Sequence, residues 1–128
     1  MLKKDKEGNI FLELRLNGNN KTKAKIDAKV KEYLLEFEEN KKGEEICYKF
    51  KISKEISEKP FIIWIILKSQ EKPNLFYVIY KGEIIEFFTA KNLFNFCKKI
   101  NYKTNVIKKR DDINPFVPVK KEFHLCGH

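Results

Sequence analysis

The chain has 128 residues, of which 42% are hydrophobic and 13% aromatic. This is the length of one domain, and the apolar content is enough to build a core, which excludes a wholly disordered chain. The formal net charge is +9, which favours polyanionic partners such as nucleic acid, an anionic membrane surface or an acidic protein.

The N-terminal part is predicted to hold one strand. Residues 1–8 are charged and are expected to fray. From Asn9 to Leu16, apolar and polar residues alternate, which is typical of a strand buried on one face. Asn17 to Asn20 then gives a turn signal, because glycine and asparagine tolerate positive φ angles.

The segment from Thr22 to about Asn40 is predicted to be an amphipathic helix, since its apolar residues recur at i, i+4, i+7, i+8 and i+11. A strand over residues 23–31 is the alternative, because apolar residues also alternate there. The helix is preferred because the apolar stripe continues further along the chain. The stripe consists of Ile26, Val30, Tyr33, Leu34 and Phe37.

A strand meander is predicted at the centre of the chain. Residues 46–52 alternate, with the even-numbered residues apolar. Phe61 to Leu67 is an unbroken apolar run, too short for the membrane span of about 20 residues, and is predicted to be a central strand with both faces covered. Leu75 to Tyr80 is a similar run. Lys81 and Gly82 are predicted to make a tight turn into a strand over residues 83–88.

The C-terminal part is predicted to be a helix followed by a tail. Thr89 is the predicted N-cap of a helix that ends near Asn101. Residues 102–128 are expected to form an extended basic tail packed on the body, with a short strand at Val106 and Ile107, because Pro115 and Pro118 prevent a regular helix nearby.

Together these elements predict one domain of the α+β class. The element order is β-α-β-β-β-β-α with an extended C-terminal tail. Short connections between consecutive strands favour a mostly antiparallel sheet of about five strands. Two helices must cover at least one face of this sheet, which predicts a two-layer domain.

Basic residues concentrate after residue 97, where aromatic side chains lie between them. Lysine ammonium groups bind phosphates by releasing counterions, and exposed aromatic rings can stack on bases. Lysine lacks the guanidinium fork that reads guanine, so phosphate contact is favoured over base-specific recognition. An exposed, solvated surface is the alternative interpretation. The predicted nucleic-acid-binding residues are Lys98, Lys99, Lys103, Lys108, Lys109, Arg110, Lys120 and Lys121.

The last residues include three potential metal ligands, His124, Cys126 and His128. Their i, i+2, i+4 spacing would put all three on one face of an extended strand. A structural zinc site needs a fourth protein ligand, and the remaining cysteines, Cys47 and Cys97, lie in predicted regular elements. A tail without metal is therefore preferred, and no metal or other cofactor is predicted. The odd number of cysteines favours reduced thiols and a cytoplasmic location.

The element order α-β-β-β-α from Thr22 onward resembles the core of the restriction-endonuclease-like superfamily. That family carries an aspartate followed by a Glu-x-Lys motif on consecutive central strands. Here Asp27 and Glu36-Phe37-Glu38 have a similar spacing, but a glutamate replaces the lysine and these residues fall in the predicted helix. The resemblance implies a nuclease, active or degenerate, and the departures put its active site in doubt.

No other catalytic set is visible in the sequence. The only histidines are at the C-terminus, and no P-loop, dinucleotide glycine pattern or nucleophile elbow is present. We therefore expect a protein that binds without turnover and contacts nucleic acid or a nucleic-acid-handling complex. The alternative is a stoichiometric inhibitor or adaptor with one specific protein partner, of the kind that phages and mobile elements encode. No membrane partner is predicted.

Overall fold

The computed structural model describes residues 2–67, 72–104 and 116–118, which form two antiparallel sheets and one α-helix. The first sheet, sheet A, has the strand order β1-β2-β5-β4, and the second, sheet B, has the order β8-β7-β6-β3-β9. The elements are β1 (Leu2–Lys4), β2 (Ile10–Asn17), β3 (Lys23–Asp27), β4 (Leu34–Lys42), β5 (Glu45–Ile52), β6 (Phe61–Ile66), β7 (Leu75–Tyr80), β8 (Glu83–Phe87), α1 (Ala90–Lys99) and β9 (Phe116–Pro118), with 3₁₀ helices at Ala28–Tyr33 and Lys54–Ile56.

The main core lies between the two sheets. Along β2 and β5, the apolar residues alternate with polar ones, so each strand presents one apolar face. These faces pack against the inward residues of β3, β6 and β7 to form one continuous cluster. Tyr48, Phe50 and Phe61 are among the largest side chains that this core buries completely.

Strand β6 is buried on both faces. Phe61, Ile63 and Ile65 belong to the core between the sheets, whereas Ile62 and Trp64 belong to a second core on the outer face of sheet B. Leu93 and Cys97 of α1 close this second core. The prediction of a central strand with both faces covered is therefore confirmed, because β6 has a sheet on one side and a helix on the other.

The predicted helix from residue 22 to residue 40 is wrong. The chain there forms β3, a 3₁₀ helix and β4, and so crosses from sheet B to sheet A. Ile26, Val30 and Phe37 are nevertheless buried in the main core, because a strand, a turn and a strand can bury the same residues as a helical stripe. The Asp27 side chain caps the 3₁₀ helix by accepting a hydrogen bond from the Lys29 amide.

The predicted fold class is correct only in its coarse outline. The protein is mostly antiparallel β-sheet with some helix, as expected, but it has two sheets instead of one and a single α-helix in the described part of the chain. Losing the helix at 22–40 also removes the predicted α-β-β-β-α order, so the resemblance to the restriction-endonuclease-like core does not extend to the structure.

The connections follow the predicted turn chemistry where a positive φ is needed. Lys81 and Gly82 have φ angles of 50° and 79° and join β7 to β8 in a two-residue hairpin. Positive φ at both positions matches the right-handed twist of the two strands. The Thr89 side chain accepts a hydrogen bond from the Asn92 amide at 3.1 Å, which confirms it as the N-cap of α1.

Two segments extend the sheets at their edges. The N-terminal end, which was expected to fray, contributes β1 beside β2. Near the C-terminus, β9 pairs antiparallel with β3, with Lys25 opposite Pro118 and Asp27 opposite Phe116. The predicted strand at Val106 and Ile107 lies outside the described residues.

Candidate functional site

Strand β3 and the 3₁₀ helix after it place three lysines near α1. Ala24 and Ile26 of β3 point into the main core, so strand alternation turns Lys23 and Lys25 to the outer face of sheet B, where α1 packs. The Lys25 ammonium lies 5.2 Å from the centroid of the Trp64 ring on the neighbouring strand. Lys29 follows in the 3₁₀ helix and is exposed.

A buried carboxylate ties the segment after α1 to this face. Asp27 is 2% exposed and accepts hydrogen bonds from the Tyr102 hydroxyl at 3.1 Å and the Thr104 hydroxyl at 3.2 Å. The Lys29 ammonium donates to the Lys103 carbonyl and lies 5.5 Å from the centroid of the Tyr102 ring. Asp27 thus places Lys103, which the sequence predicted, beside Lys29, which it did not.

Helix α1 contributes a lysine and an aromatic ring on the side that faces β3. Phe96 packs on Phe87 of β8. Cys97 lies close enough to Asp27 for the carboxylate to raise the pKa of its thiol. Since successive helical residues are rotated by about 100°, Phe94 and Lys98 lie beyond Cys97 on the β3 flank. The Phe94 ring is 39% exposed, and the Lys98 ammonium lies 5.5 Å from its centroid.

We call this surface the basic face. It combines side chains from β3, the following 3₁₀ helix, the C-terminal half of α1 and the segment after it. Its exposed or half-buried lysines all lie on the outer side of sheet B, away from sheet A. The basic face consists of Lys23, Lys25, Lys29, Lys98 and Lys103, with the exposed ring of Phe94.

Sheet A carries lysines too, and three of them, on β4 and β5, are paired with carboxylates. Lys49 lies 3.9 Å from Glu38, and Lys51 lies 3.4 Å from Glu36 on the adjacent strand. The other ion pairs recorded between described residues also involve strands of sheet A, and none of them includes a lysine of the basic face. The remaining pairs are Arg15 with Glu13, Arg15 with Glu45, and Lys41 with Glu39.

Two cations of the basic face, Lys23 and Lys25, repel each other. The pKa of Lys25 is lowered from its ordinary value, first by partial burial and then by the positive charge of Lys23. Both effects disfavour the charged form of Lys25 in the protein alone. An anion placed against Lys23 and Lys25 would relieve this repulsion.

The structure describes three of the eight lysine and arginine positions that the sequence predicted. Lys98, Lys99 and Lys103 are all exposed. Lys98 and Lys103 belong to the basic face, whereas the helical rotation turns Lys99 away from Lys98 toward the opposite flank of α1. The other five predicted residues, Lys108, Lys109, Arg110, Lys120 and Lys121, lie outside the described residues.

Sequence reasoning missed Lys23, Lys25 and Lys29 because it placed them on the surface of a helix. The signal that could have found them was the alternation of lysine with Ala24 and Ile26, which the strand alternative for residues 23–31 contained. A strand reading puts Lys23 and Lys25 on one face, opposite the buried residues.

The aspartate and glutamates of the nuclease resemblance do not come together. Asp27 is on the outer face of sheet B, held by Tyr102 and Thr104. Glu36 and Glu38 lie on β4 of sheet A and pair with lysines of β5. The main core of the sandwich separates the two sites, so these residues do not form one metal-binding cluster.

The metal-ligand candidates His124, Cys126 and His128 lie outside the described residues. Within the described ranges, no three His, Cys, Asp or Glu side chains converge on a common point. Cys47 and Cys97 are free thiols. Cys97 is 1% exposed, and burial, followed by the nearby Asp27 carboxylate, raises its pKa to about 11.

The buried thiol and phenols predict a loss of stability at alkaline pH. Burial raises the pKa of Cys97 from 9.0 to about 11 and also raises the pKa of Tyr77 and Tyr102. The unfolded chain therefore loses these protons first, and the stabilisation present below about pH 9 is lost as the pH rises through about 11. We expect the free energy of unfolding, measured by urea titration, to fall over this range.

Cys97→Ala is the control for this pH dependence, since it removes one of the groups with a raised pKa. Its free energy of unfolding should fall less steeply between about pH 9 and about pH 11 than that of the unaltered protein. A stability that stays constant or increases over this range would contradict the burial of these groups.

Comparisons with known proteins do not assign a function to the basic face. No protein-family model, no curated protein and no solved structure matches the chain. In the described residues, no helix has both the length and the apolar character needed to cross a bilayer.

Proposed function

We propose that this protein binds nucleic acid through the basic face and acts by binding rather than by turnover. The observation that carries the proposal is a difference in ion pairing between the lysines of β5 and those of the basic face. On sheet A, Lys49 and Lys51 are paired with glutamates of β4. On the basic face, the recorded partners of Lys25, Lys29 and Lys98 within the described residues are aromatic rings and a backbone carbonyl.

Phosphate is the group that such a surface suits best. A lysine already paired with a carboxylate gains little from a phosphate, because a new contact must first compensate for the lost ion pair. The lysines of the basic face are in no ion pair recorded between described residues, so a phosphate does not have to displace a carboxylate from them. Each lysine that contacts a phosphate also releases condensed counterions. Since lysine acts as a point charge, we expect binding with little dependence on base sequence.

The test compares two pairs of substitutions that change the net charge equally. Lys25→Gln with Lys98→Gln alters the basic face, and Lys49→Gln with Lys51→Gln alters sheet A. Binding to a fluorescently labelled oligonucleotide is measured by anisotropy at several salt concentrations. The first pair is expected to weaken binding and to reduce the slope of log K against log salt by about 2, or about 1 per lost phosphate contact.

The sheet A pair is expected to leave both the affinity and the salt slope close to those of the unaltered protein. Equal losses in the two pairs would show that net charge, not the basic face, controls binding. No binding even at low salt would rule out direct contact with nucleic acid. Thermal melting of each variant establishes that the fold is retained.

A stoichiometric inhibitor or adaptor with a protein partner is the second candidate function. It is favoured by two exposed apolar side chains at the edge strands β4 and β8. Leu35, at a β-bulge in β4, is 44% exposed, and Phe88, directly after β8, is 67% exposed. Exposed apolar residues on edge strands are candidates for contact with another chain.

Affinity purification from the native host, with and without nuclease treatment, separates the two candidates. A single protein that co-purifies in a fixed ratio after nuclease treatment would favour the inhibitor or adaptor. Partners that are lost on nuclease treatment would favour nucleic-acid binding. In either case we propose a cytoplasmic location, which the free thiols of Cys47 and Cys97 support.

A further inference from the structure

The exposed ring of Phe94 distinguishes the basic face from a purely electrostatic surface. The neighbouring aromatic rings Phe87 and Phe96 are half-buried and pack on each other, with centroids 5.4 Å apart. Phe94 is 39% exposed on the flank of α1 that faces β3. Among the described residues, it is the one ring of the basic face with a large accessible surface, because Trp64 is buried and Tyr102 is half-buried.

The lysine beside Phe94 completes an arrangement that matches the chemistry of one nucleotide. The Lys98 ammonium lies over the Phe94 ring, 5.5 Å from its centroid, so a base that stacks on this face takes the place of the ammonium, which is then available to a phosphate. A nucleotide likewise joins a flat aromatic base to an anionic phosphate. A base stacked on the ring and a phosphate at the ammonium would use both groups together, as in proteins that bind single strands without sequence preference.

We infer that the basic face takes single-stranded nucleic acid, with Phe94 stacking on an unpaired base and Lys98 contacting an adjacent phosphate. This inference rests on the proposed function and specifies its ligand. In a duplex the flat faces of the bases are covered by their neighbours, and a protein reaches only phosphates, sugars and groove edges. Inserting a ring into a duplex costs the unstacking of a base step, so the exposed Phe94 ring is better suited to a strand whose bases are already accessible.

Lys25 and Lys29 extend the path for the strand along β3. Each ammonium already lies beside an aromatic ring, at 5.2 Å from Trp64 and 5.5 Å from Tyr102. These two rings are too buried to stack on a base, so their lysines are assigned to phosphates alone. The site then has one stacking position and several phosphate contacts.

The test uses three ligands of equal length: a single-stranded thymidine oligonucleotide, the same strand without bases, and a blunt-ended duplex. Phe94→Leu removes the ring and keeps an apolar side chain of similar burial. It is expected to weaken binding of the thymidine strand by about tenfold, within the range of one lost base stack. It should leave binding of the abasic strand unchanged, and Phe94→Tyr, which keeps a ring, should retain the affinity.

Phe88→Leu is the matched control, because Phe88 is the more exposed phenylalanine and follows β8, whereas the basic face lies at β3 on the far side of β6 and β7. It should bind all three ligands like the unaltered protein. If Phe94→Leu binds the thymidine strand as tightly as before, or if the duplex is the preferred ligand, the inference is wrong. If the lysine substitutions still weaken binding in that case, the proposed function stands; if no ligand binds, both fail.

Discussion

Replacing Ile62 by Ala is expected to destabilise the protein as much as replacing Ile63 by Ala, although these neighbours point to opposite faces of β6. Ile63 lies in the core between the sheets, and Ile62 lies in the core beneath α1. Both side chains have no exposed surface. Each substitution should therefore lower the free energy of unfolding by about 2–5 kcal/mol, as measured by urea titration.

Ile85→Ala provides the matched control for these two substitutions. Ile85 lies on the edge strand β8 and is half-buried, so less apolar surface returns to water and the surrounding side chains can adjust. Ile85→Ala should lower the free energy of unfolding clearly less than Ile62→Ala does. If Ile62→Ala costs no more than Ile85→Ala, α1 does not close a core over sheet B, and the basic face loses its support.

Asp27→Asn is expected to cost about 2–4 kcal/mol of unfolding free energy, because Asp27 is a buried acceptor for two hydroxyl donors and one backbone amide. The amide that replaces one carboxylate oxygen cannot accept from Tyr102 or Thr104 as the charged oxygen does. Glu36→Gln is the control, since it changes the charge equally and removes a partly exposed ion pair with Lys51, which is worth about 1 kcal/mol or less.

Asp27→Asn also separates two explanations of nucleic-acid binding, one by net charge alone and one by the position of the lysines, because they predict opposite changes in affinity. Asp27→Asn adds one unit of positive net charge, so a binding surface that depended on net charge alone would hold nucleic acid more tightly. Here Asp27 holds the segment that brings Lys103 beside Lys29. We therefore expect anisotropy titrations to show weaker binding for Asp27→Asn and unchanged or tighter binding for Glu36→Gln. Tighter binding for Asp27→Asn would contradict a positioning role for this carboxylate.

The sequence was sufficient for the elements whose burial pattern is local. The alternation in β2 and β5 and the unbroken apolar runs of β6 and β7 correspond to strands in the structure. Thr89 and the apolar residues after it correctly predicted α1. In these segments, local pattern and tertiary packing require the same secondary structure.

Residues 22–40 show where local pattern fails. Ile26, Val30 and Phe37 suit either one helical face or a strand, a turn and a strand, and the choice depends on contacts far away in the sequence. Glu36 pairs with Lys51 across strands, and such cross-strand pairs stabilise a sheet but give no periodic signal within one segment. Because the predicted helix was wrong, the prediction did not place Lys23, Lys25 and Lys29 beside their neighbours in the structure.

The rest of the basic face could not be predicted for a similar reason. Lys103 reaches Lys29 only because Asp27 accepts hydrogen bonds from residues more than 70 positions later in the chain. Nothing in the spacing of these residues indicates that they meet. The concentration of lysine in the C-terminal third was visible, but its partners on β3 depend on the order of strands in sheet B.

Lysine footprinting tests the central claim, that the basic face and not sheet A contacts nucleic acid, most directly. The protein is acetylated with and without a saturating single-stranded oligonucleotide, and each lysine is quantified by mass spectrometry. We predict that the oligonucleotide protects Lys25, Lys29 and Lys98 and leaves the modification of Lys49 and Lys51 unchanged. Protection of Lys49 and Lys51 with no protection of the basic face would contradict this account.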